Sequence, residues 1–144
     1  MAEDAAQRRA EVSELADYHV AAQRRRDAEE AAKAQVLVDR FVARAREAGL
    51  ATEELTARPW SGRGRYRTGI TGWYLLRDRS VGVGLDGRYY VLLVPTVPLG
   101  RWRTVRVDPT PPSLQVGKGA RDGESAALDA VLDARLRWPD PGTG

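Results

Sequence analysis

The chain has 144 residues, 23 Lys and Arg against 20 Asp and Glu, a net charge of +3, one histidine and no cysteine. That length accommodates a single domain with its own core. The composition excludes disulfides and thiolate metal sites, and with His19 as the lone imidazole no metal or cofactor is expected. The first residues contain no apolar stretch and no run approaches the roughly 18 apolar residues of a membrane span, so a cytoplasmic chain without membrane contact is expected.

Residues 3–48 lack Gly and Pro and are rich in Ala, Glu, Gln and Arg, which predicts one long helix. Its second half carries Ala31, Val38, Phe41, Val42 and Ala45 at the spacing of a core-facing stripe. In its first half, Val12, Leu15, His19 and Ala22 begin a seam that continues into Arg26 and Glu29, so residues 1–30 read as a protruding helical arm and 31–137 as a single domain. Gly49 followed by Leu50 predicts a Schellman end. Thr52–Leu55 reads as a short turn, and Arg58-Pro59-Trp60 as extended.

Next come the sheet segments. Arg65–Thr71 alternates as a half-exposed strand with a basic face, and Gly72 separates it from a second strand, Trp73–Leu76. Asp86-Gly87 predicts a two-residue type I′ hairpin that pairs Leu85 with Arg88, Val83 with Tyr90 and Val81 with Leu92, and sets Gly84 against Tyr89 and Gly82 against Val91. Residues 88–94, apolar on both faces, are expected at the centre of the sheet. Arg101–Val107 reads as the last long strand, Leu114–Val116 as a short extended piece, about 124–137 as a C-terminal helix striped by Ala127, Leu128, Val131, Leu132 and Leu136, and 138–144 as a disordered tail. The expected fold is α+β: a long N-terminal helix, an antiparallel sheet of four to five strands, and a C-terminal helix packed on it.

Gly82-Val-Gly84-Leu-Asp-Gly87 spells the dinucleotide-binding pattern, but that chemistry needs a strand-to-helix turn, whereas these glycines fall in a strand and its hairpin. No serine or carboxylate lies in a pattern suited to catalysis; Asp78, Asp86, Asp108 and Asp122 sit where turns favour aspartate, so no enzyme is expected. Charge is more informative: residues 58–106 hold 10 arginines against Asp78 and Asp86, a net +8 flanked by segments of opposite sign. Arg63, Arg65, Arg67, Arg101, Arg103 and Arg106, interleaved with Trp60, Tyr66 and Trp102, have the composition of a nucleic-acid face.

Tyr66-Arg67-Thr68-Gly69, Gly72-Trp73-Tyr74-Leu75 and Asp86-Gly87-Arg88-Tyr89-Tyr90-Val91-Leu92 resemble a small uncharacterised protein family of high-GC actinobacteria. The resemblance spans about residues 35–137 and implies no activity and no site residues. Two functions are therefore expected in turn. The first is a non-enzymatic interaction or adaptor domain whose helix, through Val12, Leu15, His19 and Ala22, takes another protein or a second copy of itself. The alternative is a nucleic-acid-associated protein that binds phosphates through Arg63, Arg65, Arg67, Arg101, Trp102 and Arg103.

Overall fold

The computed structural model describes residues 2–117 and 125–138. Lys118, Gly119, Asp122 and the expected tail from residue 139 onward lie outside them. In chain order the elements are α1 (Ala2–Glu47), β1 (Glu53–Pro59), β2 (Tyr66–Tyr74), β3 (Val81–Gly84), β4 (Tyr89–Val91), β5 (Leu93–Val94), β6 (Gln115–Gly117), β7 (Ser125–Ala127) and α2 (Leu128–Leu136). The architecture is α+β. Among the described residues no helix is long and apolar enough to cross a membrane.

Helix α1 ends as its sequence dictates. Gly49 takes φ 65°, Leu50 N–H bonds to Ala45 O at 2.8 Å and Gly49 N–H to Arg46 O at 3.1 Å, the paired bonds of a Schellman motif. The freed Leu50 carbonyl accepts the Trp73 indole N–H at 3.1 Å. Ala34, Val38, Phe41, Val42 and Ala45 are the buried positions of α1. Phe41 meets Trp73 edge-on at 5.8 Å, a favoured aromatic arrangement. On the same helix Gln35 donates to Gly87 O at 2.9 Å and Arg46 to Leu85 O at 2.5 Å, so α1 grips the β3–β4 loop from two positions. From Ala2 to Glu29 the helix is otherwise solvated, with only Ala5 and Ala22 half-buried, an arm of about 42 Å at 1.5 Å per residue.

The five-stranded sheet runs β4-β3-β2-β1-β5 and is mixed, not wholly antiparallel. Strand β5 pairs with β1 in parallel, Arg58 opposite Leu93 and Pro59 opposite Val94. Residues 89–94 are therefore not central: their first half pairs with β3 and their second with β1, at the two ends of the strand order. Leu92 joins the halves, its N–H bonded to Ser80 O and its carbonyl to Arg58 N–H, both at 2.8 Å. The sheet thus curls until one segment serves both margins, with Tyr90 and Leu92 in the inner core and Tyr89 in the core under the helices, while Val91 is exposed. Val81, Val83, Trp73, Leu75 and Tyr89 pack under α1 and α2. Leu55, Ala57, Tyr74, Tyr90 and Leu92 form a second core inside the curl.

Four sequence expectations change. Thr52–Leu55 is not a turn, because Glu53 begins β1: Leu55 and Ala57 find burial in the inner core, which outweighs weak local preference. Gly72 does not divide two strands but lies within β2 opposite Gly84, where an added Cβ would sit 2.0 Å from Val83 O. The hairpin register is shifted by one: Val83 faces Tyr89, Gly82 faces Tyr90 and Val81 faces Val91. Gly87 at φ 83° follows a turn closed by Gly87 N–H to Gly84 O, and Gly84 N–H bonds to Arg88 O, which is a three-residue loop with a glycine bulge. Gly82 and Gly84, alternating with Val81 and Val83, lie on the inner face, and the shift brings Tyr90 rather than Tyr89 beside them; Leu55, Leu92 and the Tyr90 ring occupy the space a side chain would need. Finally, Ser125–Ala127 pair with 115–117 as β7 and β6, so the second helix starts at Leu128.

Candidate anion-binding site

Beyond β1 and before β2 the chain passes Gly62 and Gly64, at φ 95° and 101°. Facing this turn is the segment after Pro98, expected as a strand but folded into a 3-10 turn, Gly100–Trp102. Leu99 at φ 58° starts it, and Tyr66 explains its placement. The Tyr66 ring lies so close under Gly100 that a Cβ there would come within 2.7 Å of Cε1, and the Tyr66 hydroxyl accepts Val97 N–H at 3.2 Å. Past the turn, Thr104 bridges in parallel to Arg67, and Val105 N–H bonds to Arg67 O at 2.7 Å. The loop bearing Arg101, Trp102 and Arg103 is thereby held at both ends by β2.

Two adjoining hollows result. Arg67, Arg101, Trp102, Arg103 and Thr104 line one of about 330 Å³. The other, of about 210 Å³, includes Arg63, Tyr66, Leu99, Arg101 and Trp102. Arg101 and Trp102 belong to both, and neither lining includes a carboxylate. Among the described residues the salt bridges are Arg44–Asp133, Arg88–Asp86 and Arg106–Asp108; Arg63, Arg67, Arg101 and Arg103 enter none of them. Their guanidinium groups keep the forked donors that match a phosphate. Trp102 is 77% exposed.

Arg65 does not join them. Its guanidinium turns to β1, bonding to Thr56 Oγ1 and, at 2.9 Å, to Thr56 O, with a longer reach of 3.4 Å to Arg79 O. The strict alternation that would align Arg65 with Arg67 begins only at Tyr66, because Gly64 at positive φ turns the chain just before. Arg106 lines neither hollow and forms an exposed pair with Asp108 at 3.0 Å, and Trp60 is exposed but outside both hollows. Sequence reasoning missed Thr104 and Leu99 as lining residues and Tyr66 as the anchor; a Leu in left-handed conformation leaves no signature in sequence.

A second basic and aromatic hollow offers a contrast. Glu53, Tyr74, Arg77, Arg79, Arg135 and Trp138 line it, but its groups are spent on one another. Arg77 and Arg135 stand 4.9 and 4.8 Å from the Trp138 ring centroid, Arg79 lies over Tyr74, and Arg135 donates to Tyr74 O at 2.6 Å. Trp138, assigned to the tail from sequence, is thus part of the packed structure. The aspartates serve turns: Asp78 Oδ1 accepts Ser80 N–H and Oγ, and Asp86 Oδ1 accepts Arg88 N–H.

The expected helical interface sits on the arm. Val12 and Leu15 are 67% and 58% exposed, His19 is exposed beside Tyr18 with ring centroids 5.8 Å apart, and Ala22 is half-buried. By helical geometry this stripe lies about 100° around the axis from the core-facing stripe of Ala34, Val38, Phe41 and Ala45. No protein-family model matches the chain, and no curated protein or solved structure is significantly similar to it.

Proposed function

We propose that the chain is a non-enzymatic binding domain that takes nucleic acid on the Arg63–Arg67–Arg101–Arg103 face. One observation carries this reading: four arginines without acidic partners among the described residues surround two hollows whose walls hold no carboxylate. Like charges gathered in this way are relieved by an anion, and closely spaced hollows sharing Arg101 suit a polymer with repeating phosphates. The arginine pair Arg77 and Arg135, by contrast, already engages Trp138.

Titration of a labelled oligonucleotide by fluorescence anisotropy across a salt series tests it. Four phosphate contacts give a slope of log K against log salt between about −2.8 and −3.6. Affinity then falls about 50-fold or more between 50 and 200 mM salt. Arg101→Glu with Arg103→Glu abolishes the interaction, and absence of binding at low salt refutes the reading.

A second reading rests on the arm. Its large apolar residues Val12, Leu15, Tyr18 and Val20 are 50–67% exposed, and together they offer on the order of 400 Å² of contact, half the surface each partner brings to a standard interface. Two arms alone therefore make a weak pair. The stripe fits better an apolar groove on a larger protein, the helix-in-groove mode, and leaves the isolated chain monomeric at micromolar concentration. A dimer in sedimentation equilibrium that disappears on removing residues 1–28 would reverse that preference.

A further inference from the structure

The nature of the nucleic acid follows from the position of Trp102. We infer that the face binds a single strand, with one base stacked on the Trp102 indole and phosphates on either side in the two hollows; this rests on the nucleic-acid reading above. Trp102 and Arg101 line both hollows, so Trp102 lies where the Arg67–Arg103 group and the Arg63 group meet. Among the described residues no ring or guanidinium covers it, whereas Trp73 meets Phe41 and Trp138 meets two arginines. An indole exposed in this way loses hydrophobic stabilisation that a stacked base restores.

The backbone that carries the ring is also anchored. The Trp102 main-chain N–H bonds to Leu99 O and the Gly100 N–H to Val97 O, both at 3.0 Å, and Gly100 rests on Tyr66. A loop ordered beforehand loses little backbone freedom on binding. A duplex keeps the faces of its bases stacked on one another, so an indole projecting between phosphate hollows gains contact only with an unpaired base. The hollows, about 330 and 210 Å³, sit at or below the lower limit of enclosed small-molecule pockets, which favours a strand passing over them to a captured free nucleotide. In the second hollow the Ser61 and Thr96 hydroxyls bond to each other at 2.9 Å. Each hydroxyl keeps acceptor capacity, so what makes the binding tolerant of sequence is stacking, which every base offers an indole.

Anisotropy with three probes at one salt concentration separates the possibilities: labelled oligothymidylate, a mixed-sequence duplex of equal length, and heparin as a polyanion without bases. The expected result is single-strand binding at least about tenfold tighter than duplex binding. Trp102→Ala then weakens the single strand about 5- to 150-fold, the range for loss of one stacked base. The same variant leaves duplex and heparin within about twofold, Trp102→Phe restores most of the loss, and Trp60→Ala, outside both hollows, changes little. Circular dichroism of each variant checks the fold. Equal affinity for all three probes, unaffected by Trp102→Ala, overturns the stacking inference and leaves phosphate binding standing. Duplex preference overturns it also, as does an equal loss in Trp60→Ala. Failure to bind any probe overturns the inference together with the reading beneath it.

Discussion

Replacing Gly72 by alanine tests the close approach of β2 and β3. The added Cβ would stand 2.0 Å from Val83 O and 2.8 Å from Gly84 Cα and Val83 C. All three are backbone atoms, so no rotamer change relieves the contact. Ordinary van der Waals separation requires the strands to part by roughly 1.5 Å. That breaks the hydrogen bonds around the Gly72–Gly84 and Trp73–Val83 pairs and loosens Trp73, which is only 1% exposed. Two or three lost bonds at about 1 kcal/mol each, with the packing they hold, sum to about 4 kcal/mol. Total stability for a domain of this size is about 5–15 kcal/mol, so the variant is close to unfolding, with a melting temperature about 12–16 °C lower. Guanidinium unfolding followed by tryptophan fluorescence measures it directly. Gly117→Ala is the control, since its added Cβ meets none of the described residues within 4 Å; its effect stays within about 0.5 kcal/mol. A loss below about 1 kcal/mol in Gly72→Ala would refute the strand geometry.

Burial raises the Tyr89 phenol to a pKa of about 12 and shifts Tyr90 upward as well, chiefly by burial and secondarily by Asp86. Between about pH 10 and 12 the unfolded chain releases protons that folded Tyr89 retains, so stability falls as pH rises, by about 2–3 kcal/mol for Tyr89 over that window. Urea midpoints at about pH 9 and 11 should therefore drop less for Tyr89→Phe than for the wild type; equal drops exclude this cause. Removing residues 1–28 leaves the melting temperature within about 2 °C, because on α1 the first side-chain bonds to the rest of the domain come from Glu30, to Leu114 N–H and Ser113 Oγ. A larger fall in calorimetry would merge arm and domain. Arg65→Met costs about 1.5–3 kcal/mol through its lost bonds to Thr56, yet changes oligonucleotide affinity less than about threefold, whereas Arg101→Met lowers the salt slope by about 0.7. If both variants weaken binding alike, Arg65 belongs to the face after all.

What the sequence discloses follows the range of the interactions. The α1 stripe and its Gly49 end depend on neighbours within a few residues, and both are legible. Asp86-Gly87 marks the hairpin but serves a two-residue turn and a bulged three-residue loop equally well. The choice is made by Leu55, Leu92 and Tyr90 filling the space over Gly82 and Gly84. The parallel pairing of Arg58 with Leu93 joins residues 35 positions apart, and no local pattern encodes it. At the candidate site, composition alone places arginine and tryptophan together. That Arg63, Arg67, Arg101 and Arg103 converge while Arg65 turns aside depends on Gly64 and on the seat Tyr66 provides for Gly100.

The double duty of Leu92 bears on how the protein keeps to itself. A sheet with a bare margin offers a template on which other chains can extend, and a domain that already displays exposed tryptophans and an unpacked helix is especially prone to such contacts. Here β1 and β3 are each capped by a half of one continuous strand. Covering Arg58 and Pro59 of β1 and Val81–Val83 of β3 is one event rather than two, and while Leu92 holds its bonds those stretches of margin stay closed to β-sheet polymerisation.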